Sequence, residues 1–337
     1  MSDRARNPTI IDVARAAGVS KSVVSRVFTG QGSVGTRTRE RVLAAAAELG
    51  YVVNATARAM VARRTYTVGV FVRDAATPFY GHLLTAMQER ASHHGYRVVT
   101  ATGSGRFELA EERHALETLV QLQVEGLVVC SGLLPASDVA TFAARIPTVV
   151  AGRPETHADV TSVFCDEDAG GAGLADHVAD LGHHRVAVIG LPPGRSLTMA
   201  PRTAAMARRL RERGVEVVEV AGGLVDEVPR LVPEIRAHPG VTAVMAPSDL
   251  HAVRLLEALA VAGVAAPGEL SVTGYDGVGP LRTPLIGLTT WRQPVAEIGA
   301  HAVDAVVGLL DTDTVPPHHR SLAGELVVGR TAAPPRR

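Results

Sequence analysis

Apolar residues recur every three to four positions through the first fifty residues. Beyond them, short apolar runs alternate with longer amphipathic ones. Between Thr9 and Phe28, Ile10, Val13, Ala14 and Ala17 share one helical face, and Val23, Val24 and Val27 share another. Asp12 follows Thr9 by three residues, which suits a helix start. Gly18 can adopt positive φ and ends the first helix, and Ser20 can cap the second. Two short helices about a glycine corner make a helix-turn-helix. A third helix, "RTRERVLAAAAELG", is expected after a Thr36 cap, with Val42, Leu43, Ala46 and Leu49 inward and Gly50 as its stop. Residues 1–50 therefore read as a small all-α headpiece. Residues 51–65 are too few and too polar for a domain, although Asn54 can cap one short helix, "ATARAMVA".

From residue 66 to residue 330 strands alternate with helices. "YTVGVFV", "YRVVTA", "EGLVVC" and "PTVVAG" are expected strands, with helices at "FYGHLLTAMQERASHHG" and "ELAEERHALETLVQL". A second series begins near Thr161 with the helix "AGGAGLADHVADLG" and runs through "HRVAVIG", "VTAVMA" and "ELSVTGYD". Such alternation implies parallel sheets covered on both faces, and two series imply two lobes. Ligands bind such sheets at the carboxyl ends of the strands. The last stretch, "TAAPPRR" at 331–337, is expected to fray, and no leucine-heptad tail is present, which favours a dimer.

Charge sharpens this division. Residues 1–64 hold eleven basic and four acidic side chains, +7, while the whole chain balances 34 against 34, leaving −7 on the remainder. A basic head on an acidic body points to a polyanion as the partner of the head. Lys21, the only lysine, lies with Ser22 and Arg26 at the start and outer face of the second helix. In this motif those positions meet base edges in the major groove, where Arg26 can fork onto guanine O6 and N7. Ser20 and Ser25 can bond phosphates, and Thr9 joins the same DNA-facing set. The two cysteines, Cys130 and Cys165, make neither a disulfide framework nor a metal cluster. The first residues lack the apolar core of a leader, and no window reaches the roughly 18 apolar residues of a membrane span. A cytoplasmic, nucleoid-associated protein is expected.

The run "IDVARAAGVSKSVVSRVF", followed by the "ELGY" and "ARAM" segments, resembles the lactose-repressor (LacI/GalR) family of bacterial transcription regulators. "TPFY", "GYDG" and "LTTWRQP" extend the resemblance over nearly the whole chain. It implies a headpiece joined by a hinge helix to an α/β, two-lobed, periplasmic-binding-protein-like sensor domain. It also implies a homodimer on a near-palindromic double-stranded operator, probed by Asn54 and Arg58 of the hinge, with Met60 wedged into the minor groove. Segments 289–295 and 319–320 would cross between the lobes. A small-molecule effector, usually a sugar in this family, would occupy the cleft. Residue by residue, the candidates are Asp74, Phe79, Tyr80, Arg195, Ser248, Asp249, Asp276 and Trp291. Asparagine is usual where Ser248 stands, and "AGGLVDEVPR" lacks the usual aromatic, so the far wall of the cleft does not carry over.

Three adjacent histidine pairs, 93–94, 183–184 and 318–319, do not converge on a metal, and no cofactor or metal is expected. The glycine-rich "GGAGLADH" lacks the GKS/T element of a phosphate loop, and "DED" at 166–168 suits a helix cap. No catalytic serine–histidine or cysteine–histidine arrangement is visible. Two other readings stay open: a sugar-binding module without DNA regulation, and an α/β enzyme acting on a sugar or nucleotide.

Overall fold

The computed structural model describes residues 8–29, 33–51, 64–103, 108–192, 194–312 and 316–336. The chain divides into two compact units, Met1–Tyr66 and Thr67–Arg337. Asn54, Arg58 and Met60 of the expected hinge lie outside the described residues.

The first unit contains α1 (Ile10–Ala16), α2 (Lys21–Thr29) and α3 (Thr36–Glu48). Thr9 and Asp12 form a reciprocal capping box that satisfies the first orphan amides of α1. Gly18 takes φ +62°, and the next amide, Val19 N–H, donates back to Ala14 O at 3.0 Å. That closes α1 and turns the chain into α2. Val13, Val24 and Val42, all fully buried, join one residue from each helix in the core. The third helix differs from its expectation. Gly35 occupies the cap position, Thr36 begins the helix, Ala45 faces inward, and Leu43 and Leu49 are exposed. Small alanines on the inner face let α3 lie close to its neighbours, and Leu43 falls about 100° round the helix from Val42.

The second unit is two six-stranded sheets with helices on their faces. The first series runs β1 (Thr67–Val72), α4 (Pro78–His93), β2 (Arg97–Thr102), α5 (Leu109–Gln121), β3 (Gly126–Cys130), α6 (Ala136–Ala143), β4 (Thr148–Ala151) and β5 (Thr161–Cys165). The second runs α7 (Glu167–Asp180), β6 (Arg185–Gly190), α8 (Met199–Glu212), β7 (Glu216–Ala221), α9 (Leu231–Arg236), β8 (Ala243–Met245), α10 (Asp249–Val261), β9 (Ser271–Asp276) and β10 (Thr289–Arg292). The chain then returns through α11 (Val295–Asp311) and β11 (His319–Leu322) and ends with β12 (Glu325–Val327). The sheet orders are β11-β5-β4-β3-β1-β2 and β12-β10-β9-β8-β6-β7. All pairs are parallel except β10–β12. Parallel strands covered on both faces explain the unbroken apolar runs, such as the fully buried "TVGVFV" of β1.

Two elements differ from the pattern. Helix α6 falls between two expected strands, and β5 belongs to the first sheet rather than opening the second lobe. The chain accordingly crosses between lobes three times, at 165–167, 292–295 and 322–325. The expected crossing at 319–320 is instead strand β11, paired to β5. Nor does the tail fray. Val272 N–H donates to Thr331 O at 2.7 Å, Thr331 Oγ1 donates to Val272 O at 2.7 Å, and Ala333 N–H donates to Ser271 Oγ. Residues 331–333 thus satisfy the backbone of β9, where Thr331 and Ala332 are buried.

The glycines of α7 have a packing role. A Cβ at Gly170 would strike the Tyr275 hydroxyl and lie 2.8 Å from Trp291 Nε1, and one at Gly173 would lie 2.6 Å from the Trp291 ring. The "GGAG" run is a trough for two large aromatic side chains. We expect Gly170→Ala to lower stability by about 1–3 kcal/mol. Thermal unfolding of the isolated second unit, followed by circular dichroism, measures this, and an unchanged midpoint would contradict the trough.

Candidate functional site

The first candidate site is the outer face of α2. Lys21, Ser22 and Arg26 are exposed there because Val24 and Val27 take the inner face. Arg26 Nε donates to Ser22 O at 3.3 Å, which lays the guanidinium along the helix surface. Ser20 Oγ lies 2.8 Å from Ser22 Oγ and accepts from Val23 N–H. Ser25 is half-buried on the same helix. Thr9 differs from the others. Its hydroxyl donates to Asp12 Oδ2 at 2.7 Å and accepts from Asp12 N–H, so its local work is to cap α1.

The second site is a cleft of about 350 Å³ between the lobes of the second unit. It lies where the strands' carboxyl ends face each other, as parallel sheets dictate. Asp74 follows β1, Phe79 and Tyr80 open α4, and the backbone after β3 and β4 completes the first wall. The Phe79 and Tyr80 rings meet edge to face at 5.3 Å, and the Arg73 guanidinium lies 5.9 Å from the Tyr80 centroid. Behind this wall Ser131 donates to Glu112 and accepts from the Leu134 amide at 2.7 Å. Arg153 donates to Ser131 O and Leu134 O and pairs with Glu155 at 3.0 Å. Burial pushes the Glu112 carboxyl up and the Arg153 guanidinium down from their ordinary values.

The floor is built around Arg202 of α8. Its Nε and Nη2 grip Glu167 at 2.8 and 2.7 Å, and its Nη1 donates to Pro247 O at 3.0 Å and Asp276 Oδ1 at 3.1 Å. The guanidinium carbon stands 4.0 Å over the Tyr275 ring. Burial alone would weaken this cation, but Glu167 and Asp276 more than reverse that and hold it charged. Burial raises the Asp276 carboxyl, against the pull of Arg202 and a hydrogen bond from Gln293. Gln293 Nε2 donates to Asp276 Oδ1 at 2.9 Å from within the second lobe crossing.

Five of the eight expected cleft residues line it: Asp74, Phe79, Tyr80, Ser248 and Asp276. The other three do not. Arg195 is exposed in the loop before α8. Asp249 is buried behind the cleft, accepting from Thr290 Oγ1 at 2.6 Å and from Gly277 N–H at 2.8 Å. Burial and the neighbouring Asp276 carboxylate push its carboxyl well above the usual range. The cap of α10 is Ser248, whose hydroxyl accepts from His251 N–H. Trp291 lies in the glycine trough of α7, not in the cleft.

The lining also includes Arg73, Arg202, His251 and Gln293, which sequence reasoning did not assign to it. Arg73 had the same signal as Asp74, a polar residue at the end of a buried strand. His251 had none. Its Nδ1 lies 2.7 Å from Ser248 Oγ and its Nε2 donates to Gly223 O at 3.2 Å. Ser162 Oγ and His319 Nδ1 make a second serine–histidine pair at 2.8 Å, with Ser162 fully buried. Neither pair is built for nucleophilic attack. Ser162 has no access to solvent, and burial, with Arg73 and Arg202 nearby, pushes His251 down to about 4, too weak for a base near neutrality.

The region 9–54 matches the family model described as bacterial regulatory proteins, lacI family, and 175–332 matches the periplasmic binding protein-like domain. The chain is 32% identical over 302 residues to the HTH-type transcriptional regulator GalS of Salmonella typhimurium (strain LT2), covering 88% of each. It is similar to the solved transcriptional regulator CelR–cellobiose complex, with TM-score 0.68, 28% identity and 96% and 99% of the two chains covered. It is also similar to the lac repressor dimer bound to operator and the anti-inducer ONPF, with TM-score 0.81, 25% identity and 97% and 100% covered.

The depressed His251 generates a pH dependence. Unfolded histidine titrates near 6.5, so as pH falls below that value the unfolded chain takes up a proton that the native site refuses until about 4. The second unit should lose about 3 kcal/mol between pH 7 and pH 4 through this residue. Denaturant unfolding across that range should show a shallower acid slope in His251→Asn; equal slopes would remove His251 as the cause.

Proposed function

The chain belongs to the lacI family of bacterial regulatory proteins, DNA-binding transcription regulators rather than enzymes, and on that premise we propose how its parts divide the work. Two copies sit on a near-palindromic operator, with one α2 in each of two successive major grooves. Lys21, Ser22 and Arg26 read base edges, and Ser20 and Ser25 hold phosphates. Asn54, Arg58 and Met60 act from the segment before the second unit. The protein represses transcription in the cytoplasm, at the nucleoid, and a small sugar in the cleft sets its operator affinity. The relative solved with cellobiose supports a sugar as the effector class.

The observation that carries the control is the bond between Asp276 and Gln293. Asp276 stands on the cleft floor, and Gln293 stands on a chain segment that passes from one lobe to the other. A hydroxyl donated to Asp276 competes for the acceptor that holds this crossing, so occupancy of the cleft changes the balance between lobe arrangements. Coupling of this kind is typically 1–3 kcal/mol and reciprocal between effector and DNA.

Fluorescence anisotropy of labelled fragments from the region upstream of the coding sequence, with and without a panel of sugars, tests the reading. One sugar should shift a tight, sequence-selective complex. Arg26→Ala should abolish the selectivity, leaving binding weak and steeply salt-dependent, while effector binding persists. Asp276→Asn should keep operator affinity within about twofold and remove the effector response, a loss equal to the coupling itself. If Asp276→Asn responds like the parent protein, the floor is not the effector's contact.

A further inference from the structure

Strand β9 ends abruptly. Asp276 takes φ +122°, Gly277 +63° and Gly279 +61°. A residue with a side chain persists in such a backbone only where its surroundings over-determine it. Gln293 holds Asp276 from one side. Its Nε2 donates to Asp276 Oδ1 at 2.9 Å, and its N–H donates to Asp276 O at 3.0 Å. Asp249, the first residue of α10, holds the turn from the other. It is 1% exposed and lies behind the cleft, not in its lining. Its Oδ2 accepts from Gly277 N–H at 2.8 Å, one residue after Asp276. Its Oδ1 accepts from Thr290 Oγ1 at 2.6 Å, three residues before Gln293. Thr290 is itself fully buried. One carboxylate thus ties the end of β9 to β10 directly behind the Asp276–Gln293 bond.

The neighbouring glycines make room for this tie. A Cβ at Gly274 would collide with Asp249 Oδ1 and lie 2.8 Å from Leu288 Cδ2. A glycine inside a central strand weakens it, and here it lets the carboxylate reach across to β10. A Cβ at Gly277 would lie 2.5 Å from Arg292 Cα, so the turn rests against the backbone of β10. We infer that Asp249 is a positioning residue of the sensor, setting the turn that aims the Asp276 carboxylate into the cleft and keeps Gln293 within its reach. The inference rests on the reading of Asp276 as the effector's contact and adds the residue that holds that contact in place. A binding group must be kept within about 0.5 Å of its productive geometry by buried partners of this kind. Loss of the Asp249 bonds leaves the Gly277 amide unpaired and the turn free to relax, which should weaken effector binding by on the order of tenfold.

Isothermal titration calorimetry of the full chain with cellobiose, D-galactose, D-glucose and D-ribose tests this, paired with anisotropy on a fragment from the region upstream of the coding sequence. For a sugar that binds the parent protein, Asp249→Ala should weaken binding about tenfold, with operator affinity in the absence of sugar kept within about twofold. Asp249→Asn can still accept from Gly277 N–H and can donate to Thr290 Oγ1, so it should bind the sugar within about threefold of the parent. Thr290→Val deletes one donor with little change of shape and should cost about fivefold, which keeps the test open should Asp249→Ala not fold. Sugar affinity unchanged in Asp249→Ala or in Thr290→Val overturns the inference and leaves the reading of Asp276 standing. Equal losses of sugar and operator affinity also overturn it, because the whole fold has then loosened. So does an Asp249→Asn protein as weak as Asp249→Ala, because charge rather than position is then the source. A parent protein that binds none of the four sugars overturns the sugar reading and the inference together.

Discussion

The buried Arg202 guanidinium is the interaction on which the second lobe depends. It joins α8 to α7 through Glu167, to the β8–α10 connection through Pro247 O, and to the end of β9 through Asp276. Removing a guanidinium from water costs several kcal/mol, and only a full set of partners offsets it. Four of its hydrogen bonds and the face of Tyr275 supply that set. A buried ion pair of this kind adds little net stability over apolar packing. What it adds here is position. Asp276 is held in a backbone conformation at φ +122°, outside ordinary strand geometry, at the point where the cleft floor meets a lobe crossing.

The glycines of α7 and the single tryptophan belong to the same construction. Arg202 and Tyr275 can reach Glu167 only if α7 lies close to β9 and β10. Gly170 and Gly173 permit that approach, and Gly171 does the same toward Arg202 O of α8. Trp291 fills the trough and also abuts Gly324, so it touches the crossing at 322–325 from its place just before the crossing at 292–295. The chain passages between lobes are therefore packed around one rigid indole rather than spread through a loose linker. A cleft whose floor, crossings and packing share residues is suited to two discrete arrangements rather than continuous deformation.

In the headpiece the contrast is between inner and outer faces of single helices. The buried valines and alanines set the angle between α1, α2 and α3, and Lys21, Ser22 and Arg26 are exposed on the opposite face of α2. Arg26 Nε donates to Ser22 O at 3.3 Å along the helix surface. Folding thus uses one side of this nine-residue helix and leaves the side proposed to read DNA exposed.

What the sequence by itself determined is everything carried by neighbours in the chain. Thr9 with Asp12, Gly18 and the valine spacing specify the headpiece through contacts within a turn or two. Apolar runs separated by amphipathic ones specify the parallel sheets, and the family resemblance, carried over residue by residue, picks out Asp74, Phe79, Tyr80, Ser248 and Asp276, which line one cleft. The tertiary structure alone decided which partner each side chain meets across long separations. Glu167 and Arg202 are 35 residues apart, and Asp249 and Thr290 are 41. Nothing local distinguishes β5 as a member of the first sheet, Asp249 as a backbone clasp, or Trp291 as the filler of a glycine trough. His251 shows the reason most plainly: its sequence neighbours describe a helix start, and its role comes from a loop 28 residues earlier that the sheet order brings beneath it.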